Sequence, residues 1–232
     1  MSAVNQIFKP LQNYFLFIDT ETSGLPKNWK APYHQEGNWP SIIQIAWIIY
    51  DKNFNEVERQ NHYIVNDGFI IEKSSQEIHG ITAEFLNVNG KSKEAAMMPL
   101  LQVIKKFSPA IIGHYMEFDY HMINAEFCRM GISNPLEHQV FYCTMKASKP
   151  YVRNPRVDLL KLNEFYEELF NEKPKDFHNA LSDALNTAKI FFHLFKENEN
   201  IHEAIINQKS NFSPILDDTK PNRSLINRIF SI

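Results

Sequence analysis

The chain has 232 residues, 24 basic and 27 acidic, giving a formal charge of −3, with 44% hydrophobic and 22% charged side chains. This is ordinary globular composition, long enough for one domain with a sizeable core and too poor in Gly and Pro for a fibrous or disordered chain. It excludes a partner held mainly through a broad basic surface, and no apolar run approaches the ~20 residues of a membrane helix.

The first element is YFLFI at residues 14–18, a short apolar run that reads as a central strand. Residues 42–50 and 56–65 are rich in β-branched and aromatic side chains, and the turn-like segment 51–55 joins them. They are expected to form an antiparallel pair. A loop with Pro, Trp and Asn fills the stretch between Leu25 and Ser41.

Helices are expected at 74–79, 82–86 and 92–107, the last capped by Ser92. PAIIG at 109–113 is a second buried strand, 116–130 a helix ended by Gly131, and 139–143 a third short strand. Helices follow at 158–170 and 179–195. Strands alternating with helices argue an α/β fold. The expected division is a domain over 1–196 and a C-terminal extension over 197–232, either a packed appendage or a mobile tail. No charged stretch leads into an apolar one at the start of the chain. Two cysteines do not make a disulfide framework, so a cytoplasmic protein is expected.

Asp19 and Glu21 stand two apart at the end of the first strand, and side chains alternate along a strand. Both carboxylates share a face with Phe15 and Phe17. Two such acids repel unless a cation or protons lie between them, and oxygen ligands suit Mg²⁺ or Mn²⁺. A solvated strand end is the plain alternative. Asp119 lies in the first turn of its helix, on the stripe of Ile123, Phe127 and Met130. An unpaired charge on that apolar face would be costly, although the helix dipole would favour an acid there.

His178 and Asp183 complete the set. Five residues of helix turn through about 500°, so they cannot share a face, and His178 belongs on the loop before the helix. Ala180, Ala184 and Thr187 are small and let that helix approach a sheet. A capping histidine and a dipole-stabilised acid are the plain alternatives. Four carboxylates can hold two divalent ions for phosphodiester hydrolysis, and a near-neutral histidine can take a proton from water.

Three segments carry a resemblance: FIDTETSGLP at 17–26, GHYMEFDYHMINAEF at 113–127 and HNALSDALNTAKIF at 178–191. In order and spacing they are similar to the three motifs of the DnaQ-like, or DEDDh, 3′–5′ exonucleases. IHGIT at 78–82 resembles the family's intervening segment. The resemblance implies an RNase H-like fold, a five-stranded mixed sheet flanked by helices. It implies two metal ions, Mg²⁺ or Mn²⁺, held by Asp19, Glu21, Asp119 and Asp183, with His178 as general base. Thr22, Gly24 and Leu25 would meet the terminal nucleotide, and His79 and Phe118 its base or sugar; core packing is the alternative for Leu25 and Phe118. Many relatives have Asn where Tyr115 follows His114.

The resemblance implies release of nucleoside monophosphates from single-stranded or frayed DNA 3′ ends, in proofreading or repair. RNA trimming and a non-catalytic polymerase-associated role are the alternatives. A DNA polymerase or sliding clamp is a candidate partner, with Leu225 and Phe230 as a possible clamp contact. Trp29, Tyr33 and Trp39 in the long loop either stack on unpaired bases or anchor the loop.

Overall fold

A computed structural model of the chain describes residues 13–176, 178–196, 201–208 and 212. Five strands form one mixed sheet in the order β3-β2-β1-β4-β5. β1 (Tyr14–Thr22) pairs antiparallel with β2 (Ile42–Asp51), which pairs antiparallel with β3 (Glu56–Tyr63). On the other side β1 runs parallel to β4 (Ala110–Gly113), and β4 parallel to β5 (Val140–Cys143). This is the five-stranded mixed sheet expected, with its first three strands antiparallel.

β1 runs four residues further than its apolar run suggests. Its last residues stay paired with Ile42–Ala46 of β2, so the ladder carries the strand past the hydrophobic stretch. The two faces of β1 feed two cores. Leu16 and Ile18 pack into the larger one, beneath α3 (Lys93–Phe107) and α4 (Met116–Arg129). Phe15 and Phe17 pack under α7 (Ala180–Phe195), where Phe191 lies 5.6 Å and 5.3 Å from their rings. α1 (Lys73–His79) and α2 (Ala83–Asn89) precede α3. As expected, Ser92 caps α3, its hydroxyl accepting the Ala95 N–H at 3.2 Å.

One helix begins later than its periodicity implies. α6 spans Leu162–Phe170 rather than starting at 158. The Leu160 N–H donates to Ser148 Oγ at 2.8 Å, and its carbonyl lies 3.1 Å from His114 Nε2. These tertiary bonds hold the backbone outside the helix. A short α5 (Thr144–Ala147) directly follows β5 and was not expected.

The segment after α7 contains a further helix, α8 (Ile201–Gln208), that its polar composition did not suggest. Ile201 and Ile205 are buried against the α7 core. The Gln208 side chain accepts from the Cys143 N–H at 2.6 Å and donates to the Cys143 carbonyl at 3.0 Å. An amide side chain thus pairs with the edge of β5 as a strand would. Phe212 is buried between Tyr120 and Phe141, at 5.4 Å and 5.3 Å. Leu225 and Phe230 lie outside the described residues. No described helix is long and apolar enough to cross a membrane.

Candidate active site

The site forms where β4 ends before β1 does. The parallel register stops at Phe17 opposite Ile112, so Asp19 and Glu21 run on beyond the neighbouring strand. They continue the Phe15–Phe17 face and meet the start of α7. There Ala180, Ala184 and Ala188 are small and buried, which lets the helix lie close to β1 and delivers Asp183 to the acids. One oxygen each from Asp19, Glu21 and Asp183 lie within 4.8 Å of one another.

Asp119 arrives from α4, on the other side of the sheet. The Thr20 hydroxyl, buried on the opposite face of β1 from Asp19, donates to Asp119 Oδ1 at 2.7 Å. Gly113 leaves room for it, since a Cβ there would stand 3.3 Å from Asp119 Oδ2 and 3.0 Å from Met116 Sδ. α4 opens on Tyr115 at φ 68°, a left-handed conformation that favours Asn over a bulky ring. The departure from the family's Asn therefore falls on a strained position.

His178 also has a positive φ, 65°, just before Asn179 caps α7. It stands off the helix, as the residue spacing requires. Its backbone N–H donates to Asp183 Oδ2 at 2.9 Å, so the loop and the acid hold each other. Gln44, opposite Glu21 on β2, ties the same helix start to the sheet: its Oε1 accepts the Ala180 N–H at 3.3 Å.

A cleft of about 310 Å³ gathers these groups. Asp19, Glu21, Asp119, Asp183 and His178 line it, together with Thr22, Gly24, His79 and Phe118. Leu25 is not among the lining residues; it packs against the larger core. Sequence reasoning assigned no role to Thr20, Gln44 or Lys161. Gln44 did show as the one polar break in an apolar run. The long loop is anchored by its aromatics. Trp39 is 4% exposed and stacks on His121 at 5.4 Å, and the Tyr33 hydroxyl lies 2.8 Å from His121 Nδ1.

The acids are electrostatically crowded. Burial, then Asp119, Asp183 and Glu21, raise the Asp19 carboxyl well above its usual range. Burial and the Asp183 and Asp119 charges push Glu21 to about 8. Burial raises Asp119 to about 8 against the opposing Thr20 bond, and Asp183 to about 7 against the His178 N–H. Asp183 Oδ1 is buried without a hydrogen-bond partner. Close carboxylates with an orphaned oxygen and elevated proton affinity are a donor set for hard divalent cations. The residues present fit such ions.

Fold and site together define a nuclease of the RNase H-like architecture. Residues 16–191 match the family model described as Exonuclease (RNase_T), and the chain belongs to that family. It is 26% identical over 222 residues to the DNA polymerase III subunit epsilon of Buchnera aphidicola subsp. Baizongia pistaciae, covering 91% of this chain and 84% of that one. Among solved structures it is similar to E. coli exonuclease I in complex with a dT13 oligonucleotide, with a TM-score of 0.67 and 18% identity over 85% of this chain and 43% of that one. The zinc-bound E. coli exonuclease I–ssDNA complex gives a TM-score of 0.69 and 17% identity, over 84% and 43%. The chain thus spans less than half the length of the exonuclease I chains it matches.

Proposed function

We propose that this exonuclease removes nucleoside monophosphates from the 3′ end of single-stranded or frayed DNA. The observation that carries the reading is the meeting of Asp19, Glu21 and Asp183 within 4.8 Å, beside His178, in a chain of the exonuclease family. DNA is favoured over RNA by the relatives, a DNA polymerase subunit and an exonuclease crystallised with a dT oligonucleotide.

Asp19, Glu21 and Asp183 would hold one divalent ion, and Asp19 with Asp119 a second. When bound, Mg²⁺ or Mn²⁺ supplies Lewis-acid activation of water and stabilises charge at the leaving oxygen. The remaining work falls to side chains. Burial and the Lys161 charge lower the His178 pKa from its ordinary value, so its ring is neutral near pH 7 and able to accept a proton. The Asp183 carboxylate fixes the His178 backbone and thereby the approach of the ring. Thr22, Gly24, His79 and Phe118 line the part of the cleft available to the terminal nucleotide.

The test is cleavage of 5′-labelled single-stranded DNA and matched RNA with Mg²⁺ or Mn²⁺, beside Asp19→Ala and His178→Ala. Stepwise shortening from the 3′ end by wild type alone is expected, with His178→Ala slower by about 10²- to 10⁴-fold. Equal inertness of wild type and variants on both substrates would sink the reading. Faster cleavage of RNA would turn it to an exoribonuclease. A role beside a DNA polymerase is part of the proposal, supported by the epsilon relative.

A further inference from the structure

We propose that Lys161 is a substrate-binding residue that holds a backbone phosphate of the strand entering the cleft. This inference rests on the nuclease reading above and adds a residue outside its three motifs. Among the described residues lining the cleft, Lys161 is the only lysine or arginine.

The charge balance calls for such a group. Four carboxylates line the cleft, and two divalent ions would only cancel them. Direct coordination would then hold only the phosphate being cut, and the flanking phosphates of the strand would gain from a cation outside the carboxylate set. Lys161 stands at the start of α6 and lines the same cleft as His178 and the four carboxylates. Asn163, on the first turn of α6, lines the same wall and adds a polar side chain there.

The segment bearing Lys161 is held in place before any ligand arrives. Its own N–H donates to Glu164 Oε2 at 2.9 Å. The residue before it, Leu160, is fixed at both polar groups, by Ser148 Oγ at 2.8 Å and His114 Nε2 at 3.1 Å. His114 is buried in the cleft wall, and burial pushes its pKa down to about 3, so it stays a neutral ring with its other nitrogen 2.9 Å from Thr144 Oγ1. A chain of hydrogen bonds therefore runs from Thr144, just after β5, through His114 to Leu160, the residue before the lysine. Such support is what a binding residue needs to act without a large ordering cost.

The experiment compares wild type, Lys161→Met and Lys161→Arg, with melting curves to show that each variant folds. Binding of a fluorescent single-stranded oligonucleotide is measured in Ca²⁺ across a salt series, and cleavage separately in Mg²⁺. Lys161→Met is expected to flatten the plot of log affinity against log salt by about 0.7, the single-strand value for one phosphate contact. Its KM is expected to rise about fivefold with kcat within about twofold of wild type, the mark of lost uniform binding. Lys161→Arg should recover most of both. An unchanged salt slope and KM in Lys161→Met would overturn the proposal. So would a folded Lys161→Met that loses kcat alone and is not rescued by arginine. A changed slope in a wild-type background that cuts nothing would uphold the phosphate contact while removing the exonuclease reading. If wild type binds no oligonucleotide, both fall.

Discussion

The hydroxyl of Thr20 donates to Oδ1 of Asp119, 2.7 Å away and 99 residues on in the chain. Asp19 and Thr20 are neighbours on β1 with side chains on opposite faces. One faces α7 and Asp183; the other bonds the acid delivered by α4. Thr20→Val keeps the shape and removes the donor. Partners of metal ligands typically contribute 10- to 100-fold in affinity or activity. About a tenfold weaker metal dependence is expected, read from activity titrated with Mn²⁺. A wild-type titration curve would show that Asp119 needs no such anchor.

The crowded acids set a pH dependence of stability without metal. Glu21 rises from 4.5 to about 8, Asp119 from 3.8 to about 8 and Asp183 from 3.8 to about 7. The folded chain therefore binds more protons than the unfolded one across that window, and stability falls as pH rises through it. His114 works the other way. Its pKa falls from 6.5 to about 3, so its contribution is full above 6.5 and is lost as pH drops toward 3. Above 6.5 the histidine contributions level off and the carboxylates set the sign of the slope. Melting temperatures in EDTA should fall from pH 6.5 to 8, and Mg²⁺ should raise them most at pH 8. A flat profile in EDTA would contradict the crowding.

Glu126 is fully buried in α4 and accepts the Ile42 N–H at 2.8 Å. Arg129 meets it at 2.7 Å and Lys93 at 3.3 Å, and Arg129 also bonds the Trp39 and Pro40 carbonyls at 2.5 Å and 3.2 Å. This network ties α4 to the end of the long loop and the start of β2. Removing Glu126 leaves the Ile42 N–H without its acceptor and takes one partner from Arg129 and Lys93, at a cost of about 1–3 kcal/mol. Glu126→Ala should lose that much in urea unfolding while keeping its kcat. A loss under about 1 kcal/mol would place the loop's anchorage in its aromatics instead.

Phe212 is 5% exposed, between Phe141 and Tyr120, with Lys146 Nζ 5.3 Å above its ring. We expect Phe212 to belong to the folded body, so Phe212→Ala should cost about 3 kcal/mol. An unpacked tail would leave the urea midpoint unchanged.

Much of the site was legible because its logic is local. Period 2 puts Asp19 and Glu21 on one face, helical spacing puts Asp119 on an apolar stripe, and the odd interval from His178 to Asp183 forces the histidine off the helix. What stayed hidden was non-local. The sequence gives no sign that Leu160 is held by Ser148 and His114, which is why α6 begins late. Nor does polar composition show that Gln208 pairs with the backbone of Cys143. Gln44 was visible as an interruption, but its bond to the start of α7 spans 136 residues. Leu25 lies in a motif yet packs on the core, so motif membership alone does not place a side chain in the cleft.

β1 supplies both faces of the centre, and this makes catalysis a proofreader of the fold. Slipping the strand by one residue would turn Asp19 and Glu21 into the core beneath α4 and swing Leu16 and Ile18 against α7. One error would strand charges in oil and erase the nuclease together. A single-residue insertion between Leu16 and Asp19 is therefore expected to lower stability and cutting together.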